Sequence, residues 1–431
     1  MSLPQGEKTA PPRVERLRRS LAAQNVDVFI AFKPEVTFYL TAFTPIIYSN
    51  PVIVIMTLDR DPILLVNALR DELAHASPWV SDVRLYGNWY GRQSVAPTWD
   101  AALEVILAEL GVSNKTVGIE ANFISLDLDK RLRNVLPNAT FADVSPSVNQ
   151  CRLIKDEDEV ANARIAAKIA DAGMRAIVAR LAEGGTERDA SVAGMCKMNA
   201  FWVENYPDVK VCAFGSLEAG QQNGLEAWVL SGPRKWLGCD SPAARKPEAG
   251  ETISAFVWAV ANGMRAELDR TICVGTVAES EREAIAAIHT IRKEVEELMK
   301  PGTPANALYD VARRGLEANG YGGYLPGRIG HAIGLGNHED FSINANTSLA
   351  LRPGMIVTLE PHISIRGVCS TQFSDTVLIT EDGHEYLTTP PWDWDLEVNP
   401  PKGYLSGIGS WFGIGSSRLR IGNEMKVSEC T

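Results

Sequence analysis

The sequence predicts an α+β protein of two domains, an N-terminal α/β domain followed by a larger α+β domain. Three observations predict it. The chain has 431 residues, more than one hydrophobic core usually serves. Strand-like and helix-like segments alternate over the first 150 residues. Long amphipathic helices then precede a run of strands and turns.

In order, PRVERLRRSLAAQ shows helical spacing and DVFIAF reads as a strand. PVIVIMTL and DPILLVN are apolar runs of strand length. A helix near Asp100–Leu110, a strand at TVGIE and a helix near Leu126–Val135 complete the first domain. Arg70, Trp89, Tyr90 and Arg92 are read there as surface residues. The boundary is expected near Arg152–Lys155, giving domains of 1–154 and 155–390. DEDEVANARIAAKIADAGMRAIVARLAEG opens the second domain as a long helix, its acids in the first turn suiting the helix dipole. Another helix is expected over 187–204. Strands are expected at VKVCAFG, EAWVLSG, TISAFVWAV and MRAELDRTICVG, and helices over 279–299 and 304–318. Residues 391–431, rich in Gly, Pro, Ser and Trp, read as an irregular tail.

Composition narrows the function. A net charge of −11 with interspersed signs disfavours nucleic acid and anionic membranes as partners. No segment approaches the ~18 apolar residues of a membrane span. MSLPQGEKTAPPR has no hydrophobic core, so no signal peptide is expected and the cytoplasm is the expected location. The odd count of seven cysteines, without framework spacing, reads as reduced thiols.

The chemistry concentrates in GHAIGLGNHE, where two of only six histidines, His331 and His338, stand seven residues apart. A Pro353-Gly354 turn, the strand MIVTLE ending in Glu360, and SDTVLITEDG follow. An acid closing an apolar strand is costly to bury unless paired or used. This order resembles the creatinase, aminopeptidase P and prolidase family of "pita-bread" hydrolases. The resemblance runs over about residues 12–390 and implies a creatinase-type N-terminal domain before a pita-bread catalytic domain. It also implies a homodimer sharing its active site, acting on a small molecule.

The family's metal-dependent members carry two aspartates eleven residues apart on a hairpin, then the histidine, then two glutamates. Aligned on Arg270-Thr271, the second aspartate position is Glu267 and the first is Phe256. The last glutamate position is Ser374. Phenylalanine cannot coordinate a cation and neutral serine is a poor bridging ligand. A dinuclear centre is therefore not expected. A single Mn, Fe, Co or Zn ion on Glu267, His331 and Glu360 remains open, and no cofactor is the leading expectation.

By resemblance to creatinase, which works without metal, Asp269 and Glu360, joined by Glu267, would bind a cationic or amidine-like group. His331 and His338 would handle protons and the developing negative charge. Creatinase's basic histidine is replaced by Cys239 when the loop is counted back from Gly250. Cys239 could act as a nucleophile beside an imidazole, or be an inert thiol. His362 shares a strand face with Glu360 by alternation and could replace the missing base. Arg234 could bind a substrate carboxylate, and Trp236 could wall the pocket.

The leading expectation is a creatinase-like hydrolase of an amide or amidine C–N bond, without a dinuclear centre. The alternatives are an Xaa-Pro aminopeptidase or dipeptidase with a degenerate metal site, a lyase of the dimethylsulfoniopropionate-cleaving branch, and a non-catalytic binding module.

Overall fold

The computed structural model describes residues 10–45, 48–76, 79–214, 221–238 and 240–396. In the N-terminal domain a six-stranded mixed sheet has the order β4-β3-β2-β1-β5-β6. Its strands are β1 (Val28–Ala31), β2 (Ile53–Thr57), β3 (Ile63–Asn67), β4 (Val83–Tyr86), β5 (Thr116–Ile119) and β6 (Thr140–Asp143). The central strands are apolar on both faces because helices cover both. Helices α1 (Pro12–Ala22), α2 (Pro34–Thr41), α3 (Asp71–His75) and α6 (Ser145–Leu153) bear on one core. The other core is built with α4 (Trp99–Glu109) and α5 (Leu126–Val135). Trp89 and Tyr90 are exposed as expected, but Arg70 is buried and donates to the carbonyl of Asn50.

The connection to the second domain, 154–156, is three residues long. Helix α7 (Glu157–Ala182) starts at a capping box in which Asp156 and Glu159 exchange hydrogen bonds with each other's backbone. It packs with α8 (Glu187–Asn205) over the face of a second, largely antiparallel sheet. A short hairpin, β7 (Cys212–Phe214) and β8 (Gln221–Asn223), precedes that sheet. Its path runs β12-β15-β11-β10-β9, with β9 (Glu226–Ser231), β10 (Thr252–Ala261), β11 (Met264–Val274), β12 (Ile356–Leu359) and β15 (Ser374–Ile379). Helices α9 (Glu279–Glu296) and α10 (Ala305–Ala318) enclose a separate core with β12 and β15. A two-stranded ribbon, β13 (Ser364–Ile365) and β14 (Cys369–Ser370), and β16 (His384–Tyr386) beside β15 complete this half.

The expected irregular tail begins too early. Trp394–Leu396 form β17, parallel to Ile272–Val274 of β11. Leu396 is buried and Trp394 packs beside it on the α7–α8 core, and this packing continues the sheet past 390. Arg270 also holds the carbonyls of Pro390 and Pro391, at 2.7 and 2.8 Å. The rest of the tail, 397–431, lies outside the described residues.

Candidate active site

The long hairpin β10–β11 sets the register of the site. Phe256 faces Asp269, and Trp258 faces Glu267. Asp269 in turn faces Ser374 on β15. Phe256, Asp269 and Ser374 therefore stand in one cross-strand row, with Trp228 of β9 opposite Phe256. Trp228, Phe256 and Trp258 form a stack, the two indoles 4.3 Å apart. An aromatic wall thus fills the place where the family's first metal-binding aspartate would stand. Trp258 also donates its indole N–H to Glu267 at 3.1 Å.

Three groups meet in front of this wall. One ligand atom each of Glu267, His331 and Glu360 lie within 4.8 Å of one another. His331 Nε2 is 3.4 Å from Glu267 and 3.7 Å from Glu360. Its other nitrogen, Nδ1, lies 3.1 Å from the carbonyl of Ala332. A carbonyl only accepts, so Nδ1 carries a hydrogen and Nε2 faces the two carboxylates. A bare lone pair there would oppose two anions. Positive charge, as a proton or a metal ion, completes the arrangement.

The electrostatics follow from burial and crowding. Burial works against a charged His331, but Glu267 and Glu360 outweigh it and raise its pKa. Glu267 is lowered despite its burial, first by its pairing with His331 and also by the hydrogen bond from Trp258. Burial and the nearby Glu267 push Glu360 up to about 7 and hold Asp269 well above the carboxylate range. The side-chain amide of Gln372 donates to Asp269 at 3.0 Å. The exposed ring of His338 lies tilted against His331, 4.4 Å between centroids, and its pKa is lowered first by desolvation and then by His331.

Several devices fix these groups. Gly330 lies so close to β12 that an added Cβ would sit 2.2 Å from the carbonyl of Thr358. Thr358 hydrogen-bonds His331 through its hydroxyl and its backbone N–H. Glu339, at the end of the histidine motif, is buried between Arg152 at 2.6 Å and Lys155 at 2.8 Å. Behind the site Asp375 sits between Arg270 and Arg292, all three almost fully buried. Further donors of the two arginines take the carbonyls of Asp269, Ser374, Leu359 and Phe373. Each carbonyl belongs to a site residue or its chain neighbour.

Of the residues singled out from sequence, Glu267, Asp269, His331, His338 and Glu360 come together here. His362 joins Glu360 in lining one cavity, its Nδ1 3.2 Å from the Glu360 carbonyl. Arg234 is committed elsewhere, paired with Glu187 at 2.9 Å and Asp240 at 3.2 Å, so its expected role toward a substrate carboxylate finds no support. Trp236 packs against the Lys235 ammonium, 4.7 Å from its ring centroid. Cys239 lies outside the described residues. Sequence reasoning missed Trp228, Trp258 and Gln372, whose roles depend on cross-strand register. It also missed Arg328, though that cation interrupts a Gly-rich segment three residues before His331.

A family model for "Metallopeptidase family M24" matches residues 161–381, and one for "Creatinase/Prolidase N-terminal domain" matches residues 13–154. The chain belongs to metallopeptidase family M24. This M24 protein is accordingly a hydrolase of C–N bonds with the family's two-domain, pita-bread architecture. A Staphylococcus aureus protein described as an uncharacterized peptidase is 25% identical over 376 residues, 87% of this chain and 98% of its own. A prolidase from Pyrococcus furiosus is 25% identical with a TM-score of 0.71, over 87% of this chain and 99% of its own. An Xaa-Pro dipeptidase from Bacillus anthracis, 21% identical, shares the fold with a TM-score of 0.75, over 90% of this chain and 99% of its own. These relatives favour the peptidase alternative over the creatinase-like reading. The expectation of no cofactor draws no support from a metallopeptidase family, whereas a single ion is compatible with the three-residue set. Among the described residues no helix is long and apolar enough to cross a membrane.

Proposed function

We propose that this M24 protein hydrolyses the amide bond of a small peptide-like substrate at a one-ion centre held by Glu267, His331 and Glu360. The reading rests on His331 Nε2, a buried atom with no hydrogen-bond partner, aimed between two carboxylates. Two carboxylates and an imidazole suit a divalent transition metal. Phe256 and Ser374 leave a second ion without its ligands. When bound, the ion supplies Lewis acidity toward the scissile carbonyl or an attacking water.

The chain's own groups do the rest. Trp258 fixes one oxygen of Glu267, and the Ala332 carbonyl fixes the tautomer of His331. Gln372 fixes Asp269 beside them. His338 is the imidazole left without a ligand role, and it carries the proton between attacking oxygen and leaving nitrogen. The aromatic wall excludes water from one side.

A second reading is favoured by the same Phe256 and Ser374: metal-independent hydrolysis, with a proton on His331 Nε2 in place of the ion. Elemental analysis combined with assays on Xaa-Pro dipeptides separates the two. One Mn, Fe, Co or Zn ion per subunit and loss of hydrolysis on chelation are expected. Full turnover by metal-free protein would shift the assignment to the second reading. No hydrolysis of any amide or amidine by metal-loaded or metal-free protein would sink both.

A further inference from the structure

A cavity of about 410 Å³ lies between the two domains, and none of Glu267, Asp269, His331, His338 or Glu360 lines it. Its apolar side draws on both domains. Phe38 of α2 and Phe214 of β7 meet there with ring centroids 5.3 Å apart, beside Met264 and Leu335. They converge on the β10–β11 turn, where a Cβ added at Gly263 would lie 2.8 Å from Phe38, 3.0 Å from Leu335 and 3.4 Å from Phe214. Both phenylalanines are only partly buried against the core beneath them, so ring surface is left to the cavity. Leu335 stands between His331 and His338 in the chain, and its carbonyl accepts from Arg265 Nε at 3.2 Å.

The polar side carries an unbalanced charge. Glu159 of α7 is 7% exposed. One of its oxygens accepts from the Asp156 backbone N–H at 3.0 Å, and the other has no hydrogen-bond partner among the described residues. Arg13 also lines the cavity, but it is committed to Asp156 at 2.7 Å and to the Tyr39 carbonyl at 2.8 Å. No cationic side chain forms an ion pair with Glu159 among the described residues. Burial, and then Asp156, push its pKa up to about 7. Asp158 adds a second carboxylate with no ion pair among the described residues, against the one unpaired ammonium of Lys210. A buried carboxylate with an idle oxygen beside open ring surface is completed by a cation with an apolar body.

We propose that this cavity binds a small ammonium compound with an apolar body, its ammonium on Glu159 and Asp158 and its body on Phe38 and Phe214. The site is separate from the one that holds His331, and its preference does not rest on the hydrolase reading.

Calorimetry on the full chain with 2-phenylethylamine and its uncharged counterpart 2-phenylethanol tests it without turnover. The wild type is expected to bind the amine at least about tenfold more tightly than the alcohol, the scale of a charge-assisted hydrogen bond. Glu159→Gln keeps an acceptor for the Asp156 N–H and is expected to abolish that preference. Phe38→Ala is expected to weaken both compounds by about tenfold, because it removes ring surface that both use. Should Glu159→Gln fail to fold, Asp158→Asn, at an exposed position, is expected to lower the amine preference about threefold. Equal binding of amine and alcohol, undetectable binding of both, or an affinity untouched by Phe38→Ala overturns the proposal. So does an amine preference that survives Glu159→Gln or, in its place, Asp158→Asn undiminished, because the amine then sits on other carboxylates, such as those around His331.

Discussion

Trp258 donates its indole N–H to Glu267 across a directly facing pair of the β10–β11 hairpin. The carboxylate that could hold an ion is therefore already fixed by an aromatic residue, and that aromatic belongs to the stack occupying the first aspartate position. The hairpin serves one ligand and blocks another. Replacing Phe256 by Asp and Ser374 by Glu together is expected to raise the metal content from one ion toward two per subunit. Elemental analysis checks this, together with a manganese-dependent rise in Tm. An unchanged stoichiometry would show that the wall, rather than the missing acids, sets the count.

Gly330 has no room for a side chain. Gly330→Ala would force the histidine strand away from the Thr358 carbonyl, at about 1–3 kcal/mol for overpacking. The displacement acts on the residue before His331, so activity is expected to fall much further than chemical denaturation alone would imply.

Asp375 is the counterion of two almost fully buried arginines. Asp375→Asn leaves both without an anion, and a loss on the order of 3–5 kcal/mol is expected in urea unfolding. The paired change Arg292→Leu with Asp375→Asn is expected to cost less than the sum of the single changes, because the charges belong to one cluster.

Two buried carboxyls give stability opposite dependences on pH. Lys155 and Arg152 overcome burial and hold Glu339 down at about 2, below its ordinary 4.5. Its contribution is present above pH 4.5 and is lost as pH falls toward 2, about 3 kcal/mol in all. Glu120, pushed up to about 8 by burial, behaves in reverse. Its protonated form is favoured on folding, so its contribution is full below 4.5 and is lost as pH rises through 8. Stability measured by denaturant midpoint from pH 5 to 9 should decline through this group, and Glu120→Gln should flatten that decline.

Much of the site was legible because it lies in short, ordered signals. The histidine motif, the strand-terminal Glu360 and the spacing that assigns Glu267 and Phe256 each depend on local sequence; His331, Glu267 and Glu360 meet in space, and Phe256 stands in the adjoining aromatic stack. The two-domain order was legible from alternating periodicities for the same reason. What escaped depends on partners far apart in the chain. Arg270 and Arg292 meet Asp375 across 105 and 83 positions, and nothing local marks them as a cluster. Trp228 joins the wall only through a register that sequence does not specify. Arg234 was misread for a related reason: its partner Glu187 is the first residue of a distant helix. The tail failed at its start because three residues of strand are too short to show alternation above a Gly- and Pro-rich background.

The two family matches leave residues 155–160 unclaimed, which suggests a spacer between interchangeable parts. The charges on Glu339 say otherwise. The catalytic domain's own histidine motif ends in an anion whose counterions, Arg152 and Lys155, sit on the last turn of the preceding domain and on the linker. A catalytic half cut free at residue 161 would carry that anion into its interior alone. Homology draws the seam on one side of these residues and energetics on the other, so a chimera that inherits this catalytic half must inherit Arg152 and Lys155 with it.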